Sequence, residues 1–218
     1  MTPPRSEPPS PLPTGPIGGH LAYVLRGLLL RFRLTSLAQR YDSTVVLAAF
    51  SMINGGISIA LLAALALVTR KPFVFPSLGP TAFLLFYTPL APAASPRNTL
   101  LGHLVGAAAG WVSLAVFGLL QAGPAIAGNI TAARAGAAAL SLGLTNGLMV
   151  LFRTPHPPAA ATTLIVSMGI LRTPAQLAVL MGAVALLALQ AIVINRLAGL
   201  PFPLWAAHPA PAQGPAGA

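Results

Sequence analysis

Apolar residues along this chain fall into long runs that are separated by short polar or proline-rich breaks. Four runs, residues 44–69, 98–120, 131–152 and 174–197, reach the roughly 20 residues that a helix needs to cross a bilayer. A backbone in lipid has to satisfy its own hydrogen bonds, so such runs are expected to be helices. The pattern predicts an all-α fold, a polytopic membrane helix bundle.

Two shorter apolar stretches, residues 73–90 and 157–171, are interrupted by proline and glycine. A helix over residues 158–170 would be only about 20 Å long at ~1.5 Å per residue. That is short of a hydrocarbon core of about 30 Å. We therefore expect two short helices, broken or re-entrant, in addition to the four long spans.

The two short stretches occupy matching places in an internal repeat. Pro80 lies in a Gly-Pro-Thr-Ala opening and Pro158 in a Pro-Pro-Ala-Ala opening, which gives an offset of 78 (158 − 80) between them. Pro96 and Pro174, each preceded by Ser or Thr before the next long span, have the same offset of 78 (174 − 96). Two broken membrane segments at corresponding positions are the sequence feature that points to a transport site.

The number of crossings depends on whether the short helices span. If they do, the chain crosses six times and its halves are inverted; if they are re-entrant, it crosses four times and the halves are parallel. Basic residues mark the cytoplasmic side, and six crossings return Arg97 and Arg153 to it, so charge favours six. Arg26, Arg31, Arg33 and Arg40 precede the first span. We expect a plasma (inner) membrane of bacterial type with a cytoplasmic N-terminus.

Composition supports the membrane assignment and argues against a soluble domain or a nucleic-acid-binding protein. Hydrophobic residues make up 56% of the chain and charged residues 6%, against about 25% charged in soluble domains. The net charge of +10 does not indicate nucleic-acid binding, because the basic residues flank apolar runs and do not alternate with aromatics. The absence of cysteine excludes disulfides and thiol chemistry. The lipid bilayer is the expected partner.

The ends of the chain differ from the membrane domain, which we place at residues 43–200. Residues 1–19 and 201–218 are rich in Pro, Gly and Ala and are expected to be disordered tails. Residues 20–42 combine leucines at helical spacing with arginines, which predicts a basic amphipathic helix. It lies either on an anionic membrane surface or against the cytoplasmic side of the protein itself.

The second break carries the strongest chemical signal. Pro157 and Pro158 suit the first turn of a helix, where backbone N–H groups have no helical partner. The remaining free N–H groups would point toward Arg153 and His156. Such a helix end carries roughly half a positive charge and binds anions. These four residues are predicted to contribute to a small-anion site.

The first break offers a matching helix end, with the hydroxyls of Ser77 and Thr81 as donors. Two positive ends facing each other across a pseudo-twofold axis would attract an anion, and Arg97 would strengthen the field. The alternative for Arg97 and Arg153 is headgroup anchoring. His103, in the second long span, either belongs to the same site or is bonded to a backbone carbonyl.

Enzymatic motifs and cofactor motifs are absent from the sequence. It has no acidic pair, no metal-ligand spacing among its four histidines, no GxSxG elbow and no phosphate-binding loop. We therefore expect no enzyme activity, no cofactor and no metal. Glycines repeat every fourth residue at 102–110 and at 143–147, a pattern that favours close helix packing and allows a homo-oligomer.

Three blocks of the sequence resemble the HPP family of integral membrane proteins, which is named for a His-Pro-Pro motif. They are Phe75-Pro76-Ser77-Leu78-Gly79-Pro80-Thr81-Ala82, Pro96-Arg97-Asn98 with Gly102-His103, and His156-Pro157-Pro158-Ala159-Ala160-Ala161-Thr162. The resemblance covers about residues 43–197 and adds Asn98 to the predicted substrate-binding residues. The sequence departs from the motif at Ala160, where the family often has Gly. The added methyl group would leave less space for a close approach at this position.

The resemblance implies a compact multi-spanning bundle, usually described as four-spanning, for which transport has been proposed. Plant plastid members of the family are associated with nitrite. Together with the two helix ends, this leads to the hypothesis of a transporter or channel for a small, nitrite-like inorganic anion. The alternative is a non-transporting membrane scaffold or partner subunit, which a sealed interior between the two breaks would favour.

Overall fold

The computed structural model describes residues 33–128 and 130–207, and within these ranges the chain forms seven α-helices and no strand. The helices, in chain order, are α1 Leu34–Ala38, α2 Ser43–Thr69, α3 Leu78–Tyr87, α4 Pro96–Val116, α5 Ala132–Leu151, α6 Ala159–Ser167 and α7 Pro174–Leu197. Short 3-10 turns lie at Pro92–Ala94 and Ala125–Ala127. The all-α prediction is confirmed.

The four predicted long spans correspond to α2, α4, α5 and α7, each long and apolar enough to cross a membrane. Helix α4 ends at Val116, before the predicted end at Leu120. Gly118 takes a φ of 68°, and Leu119 N–H donates to the carbonyl of Leu114 (2.7 Å), which is the hydrogen bond of a Schellman stop. The predicted second short helix is shortened in the same way, because Gly169 has a φ of 79°.

Contacts between helix ends define the two faces of the bundle. We call the face where α4 begins proximal and the face where α4 ends distal. Arg97, at the start of α4, donates to the carbonyls of Phe152 and Arg153 beyond the end of α5 (3.4 and 3.1 Å), so α5 ends proximally. Trp111, toward the end of α4, donates to the carbonyl of Arg172 before α7 (3.0 Å), so α7 begins distally.

The first short helix runs toward the proximal face. Asn195, near the proximal end of α7, donates to the carbonyl of Leu85 (3.1 Å), which lies near the end of α3. Ser51, in the third turn of α2, donates to the carbonyl of Phe86 (3.2 Å). Helices α2 and α3 are therefore antiparallel, and α2 begins at the proximal face.

The second short helix runs toward the distal face. Arg134, in the first turn of α5, donates to the carbonyl of Ser167 at the end of α6 (3.2 Å). The chain thus passes between the two faces six times, through α2, residues 70–87, α4, α5, residues 153–167 and α7. The first half begins at the proximal face and the second at the distal face, so the halves are inverted, as the charge pattern favoured.

The repeat has a different register from the one predicted for the short helices. Leu78 N–H donates to Phe75 and Ala159 N–H to His156, each at 2.9 Å, so the offset between the two equivalent turns is 81 (159 − 78). The caps before α4 and α7 keep the predicted offset of 78. The short helices were misaligned by about one turn, because α3 and the link after it are together longer than α6 and its link.

Helix α4 lies at the centre of the bundle because three of its glycines let α6 pack directly against it. A Cβ at Gly102 would lie 2.6 Å from the Cβ of His156, and one at Gly106 would lie 2.7 Å from the carbonyl oxygen of Ala159. At Gly110 the nearest atom, in Val166, would be 2.7 Å away. The helices run parallel, because successive glycines of α4 meet successive turns of α6.

The terminal predictions are only partly within the described residues. Residues 1–32 and 208–218 lie outside them. Of the predicted helix over 20–42, the structure contains α1, which is tied to the proximal end of α7 by Leu34 N–H donating to the carbonyl of Ala198 (3.0 Å). Residues 201–207, which we assigned to a disordered tail, lie against the bundle instead: Phe202 is fully buried, and Arg97 N–H donates to the carbonyl of Trp205 (3.0 Å).

Glycines that contact a neighbouring helix and glycines that do not predict different responses to alanine. Gly106→Ala should lower the free energy of unfolding by about 1–3 kcal/mol, the usual cost of overpacking, because the new methyl group meets the backbone of α6. Gly56→Ala in α2 is the matched control and should leave the midpoint unchanged or raise it, since a Cβ there meets nothing within 4 Å. Thermal unfolding in detergent measures both, and equal midpoints for the two variants would contradict the proposed α4–α6 contact.

Candidate functional site

The imidazole of His103 lies between the first turns of the two short helices. Its Nε2 is 2.9 Å from Thr81 Oγ1 of α3, and its Nδ1 is 2.7 Å from Thr162 Oγ1 of α6. The residue numbers of the two threonines differ by 81 (162 − 81), which is the offset of the repeat turns. One imidazole therefore joins equivalent positions of the two inverted halves, close to their pseudo-twofold axis.

A second imidazole, that of His156, lies beside the first. The ring centroids of His103 and His156 are 4.9 Å apart. His156 Nδ1 is 2.7 Å from the carbonyl oxygen of Ala93, and its Nε2 is 3.4 Å from Thr81 Oγ1. The predicted histidines and Thr81 are thus brought together, and Gly102 makes this possible by admitting His156 against α4.

We assign the proton positions of the neutral network from the partners that can only accept. A carbonyl only accepts, so His156 donates from Nδ1 to Ala93 and has a bare Nε2. Thr81 donates its one proton to the carbonyl of Ser77 (2.8 Å) and accepts from His103 Nε2. His103 Nδ1 then accepts from the hydroxyl of Thr162. In this assignment His156 Nε2 carries no proton, and its one polar neighbour is Thr81 Oγ1 at 3.4 Å.

The site is closed. Thr81, His103, His156 and Thr162 each have an exposed fraction of 0%. The predicted free backbone donors of α6 are also engaged: the N–H groups of residues 159, 160 and 161 donate to the carbonyls of residues 156, 157 and 158 (2.9–3.1 Å). These donors are therefore taken up by a tight first turn, because each finds a carbonyl three residues earlier.

The predicted site residues at the proximal face are separated from this cluster. Arg97 uses its guanidinium to cap the end of α5 and contacts Asn98 Oδ1 (3.3 Å), while Asn98 Nδ2 donates to the carbonyl of Pro92 (2.9 Å). A cation at a helix C-terminus complements the partial negative charge there. Arg153 is exposed and ends its helix with a φ of 53°. Pro157 is exposed as well.

Buried hydroxyls without a partner occur one turn or two residues away from the residues of the histidine network. Within the described part of the chain, the hydroxyls of Ser77, Thr99 and Thr154 are buried and unbonded. Ser77 lies one turn before Thr81 and Thr99 one turn before His103, so each faces the same side of its helix as that partner. Thr154 is two residues from His156. Two other such hydroxyls, of Ser58 and Ser113, lie farther along their helices.

A lateral groove between α5 and α6 lies beside the closed site and borders His156. It encloses about 320 Å³ and is bounded by His156, Pro157, Ala160 and, on α5, Asn146. Asn146 is an exposed amide in an otherwise apolar span. Ala160 stands where the His-Pro-Pro motif often has Gly, and its methyl group narrows this groove.

Sequence reasoning missed Thr162 and Thr99, and one signal could have found the first. At an offset of 81, Thr81 pairs with Thr162, whereas the offset of 78 hid this match. Arg134 was also missed: it is buried, and its guanidinium donates to the carbonyls of Ser167 and Gly123 (3.2 and 2.7 Å). Among the described residues no three His, Cys, Asp or Glu side chains converge as metal ligands.

Inverted halves, broken short helices and a buried polar centre define an integral membrane helix bundle built from two repeats. The chain matches the HPP transmembrane region family over residues 40–203 and belongs to that family. A transmembrane protein of Dictyostelium discoideum is 30% identical over 105 residues, which are 48% of this chain and 33% of that protein. The chain thus spans about a third of that relative's length. No solved structure matches it.

The bond between Thr162 and His103 can be tested with an isosteric change. Thr162→Val should cost about 1–3 kcal/mol of unfolding free energy, because it leaves a buried imidazole nitrogen without its donor. Thr99→Val is the matched control, since it removes an unbonded buried hydroxyl and should be neutral or stabilising. Thermal unfolding in detergent compares the two, and a control that is as damaging as Thr162→Val would contradict the assigned network.

Proposed function

We propose that this protein transports a small inorganic anion of the nitrite type across the membrane, as a carrier or channel. The observation that carries the proposal is the set of unbonded buried hydroxyls of Ser77, Thr99 and Thr154, each within one turn or two residues of a member of the histidine network. A dehydrated anion needs several donors to replace its water, and a buried polar group left unpaired is costly. Hydroxyls kept free at such a cost are suited to a transient ligand.

The placement of the site also supports transport. It lies where two inverted, broken segments meet inside the bundle, the arrangement in which alternating access turns around a central site. Positive charge at the proximal face, from Arg97 and Arg153, attracts anions toward it. The hydroxyls and imidazoles bind in this proposal, and the engaged backbone N–H groups of α6 do not.

The orientation that we propose in the membrane follows from the basic residues at the proximal face. We place the N-terminus and the proximal face in the cytoplasm of a cell with a bacterial-type inner membrane, and we assign no enzyme activity, cofactor or metal to the chain. Gly143 and Gly147 lie on an open groove of α5 with nothing within 4 Å of a Cβ at either position. This face would serve a homo-oligomer.

A second function, that of a non-transporting scaffold or partner subunit, is favoured by one observation. The four side chains of the histidine network are completely buried, as in a structural core. In that case the hydrogen bonds of His103 would hold the two halves together and no anion would pass.

Uptake of nitrite into proteoliposomes distinguishes these functions. We expect His156→Ala to lower the rate at subsaturating nitrite roughly tenfold or more, which corresponds to ~1.4 kcal/mol or more of lost stabilisation. Arg153→Ala should lower it less, because that side chain is exposed. Val68→Ala, whose position is 82% exposed on α2, is the control for handling and insertion.

Normal flux in both the His156→Ala and Arg153→Ala proteins would contradict the site assignment. No protein-dependent uptake by the wild type would favour the scaffold function.

A further inference from the structure

The hydrogen-bond network around His156 has room for one more proton. Its bare Nε2 faces Thr81 Oγ1 at 3.4 Å, while the hydroxyl proton of Thr81 points to the carbonyl of Ser77. Two lone pairs therefore face each other. A proton on His156 Nε2 would convert this contact into a hydrogen bond, since a hydroxyl oxygen accepts up to two. The other three side chains need no rearrangement.

No negative side chain is available to balance that proton. The chain has two acidic residues; Asp42 caps the start of α2 at its exposed proximal end, and Glu7 lies outside the described residues. Helices α3 and α6 offer threonine hydroxyls to the histidines, and α4 offers the second imidazole. An imidazolium buried without a counter-charge is strongly disfavoured.

The arginines of the surrounding elements do not offset the cost of a buried imidazolium. Arg97 of α4 and Arg134 of α5 donate to carbonyls at helix ends, and Arg196 of α7 donates to the carbonyl of Phe202 (3.0 Å). Arg153, three residues before His156, is exposed. Positive charge nearby makes a second buried cation less favourable unless an anion accompanies it.

We propose that His156 takes up one proton and one small anion together, so that the protein is an electroneutral proton–anion symporter. This rests on the proposed anion transport and names its coupling. The proton binds at Nε2 of His156, and the anion supplies the missing negative charge. The added charges cancel, so the loaded site crosses between its two states without moving net charge.

The groove beside His156 provides the route for the anion. Its volume of about 320 Å³ exceeds that of a nitrite ion several times. Its rim holds the amide of Asn146, for which no hydrogen bond is found in the described structure and which can donate to an arriving anion. The polar entry thus lies at the histidine that accepts the proton.

Linkage makes the coupling reciprocal. If a proton strengthens anion binding by a given factor, the anion strengthens proton binding by the same factor. Lower pH fills Nε2 and therefore raises anion affinity. Where His156 is mostly neutral, uptake at subsaturating anion should rise about tenfold for each unit of pH decrease, because one proton is bound per anion.

Proteoliposomes that contain the full chain test this with nitrite, a pH gradient and a potassium diffusion potential. Protein-free liposomes are run in parallel so that diffusion of nitrous acid can be subtracted. We expect an acidic exterior to drive nitrite accumulation, one proton to enter per nitrite by an internal pH dye, and reversal of the potential to change the rate less than twofold.

The outcomes separate the coupling from the transport itself. Protein-dependent uptake that follows the potential and ignores the pH gradient would overturn symport and leave anion transport standing. Absence of protein-dependent uptake at every pH would overturn both.

Substitution locates the proton site. His156→Gln cannot accept the proton, so its remaining uptake should lose the steep pH dependence; a tenfold change per pH unit that persists in this variant would overturn the placement at His156. The chain has four histidines, so His20→Gln and His208→Gln are matched controls that should keep the wild-type dependence of uptake on pH.

A variant at the groove keeps the proposal testable if His156→Gln does not fold. Asn146→Leu should lower nitrite affinity severalfold and leave the ratio of protons to nitrite unchanged. Wild-type nitrite affinity in the Asn146→Leu protein would overturn the route.

Discussion

The close contact between α4 and α6 is the constraint on which the site depends. Three glycines on α4 leave no room for side chains, so the backbone and small side chains of α6 lie directly against the central helix. This contact brings His156 and Thr162 beside His103. A methyl group at Gly102 or Gly106 would push away the residues that form the polar centre. The glycines that allow the two helices to pack closely are therefore also the residues that bring the histidines and Thr162 together.

The scarcity of acidic residues shapes the electrostatics of the whole molecule. With only two carboxylate side chains for twelve Lys and Arg residues, several arginines donate to backbone carbonyls. Arg97 and Arg134 donate to carbonyls at the ends of α5 and α6, where the helix dipole is negative, and Arg196 donates to the carbonyl of Phe202 in the segment after α7. These bonds hold the ends of neighbouring helices together. The same scarcity leaves the buried histidines without a carboxylate partner among the described residues.

The inverted repeat explains why a single histidine is central while the second is not. Thr81 and Thr162 occupy equivalent turns, and His103 bonds one of them with each ring nitrogen. His156 has Phe75 as its counterpart in the first half, and Phe75 belongs to the apolar core. The network is therefore symmetric at His103 and asymmetric beside it. A proton-binding group is present on one half and an aromatic ring on the other, which gives the two sides of the site different chemistry.

Periodicity, proline positions and composition were sufficient to predict an all-α membrane bundle, four long spans, two short helices and the repeat, because these follow from local backbone rules and from the solubility of side chains in lipid. They also identified His103, His156 and Thr81 as candidates. What they could not determine was which hydrogen bonds each group makes. Whether an arginine meets an anion or a carbonyl, and whether helix-end N–H groups remain free, depends on atoms distant in sequence. Only the packing of α6 against α4 decided that the histidines and threonines meet and that Arg97 instead caps a neighbouring helix.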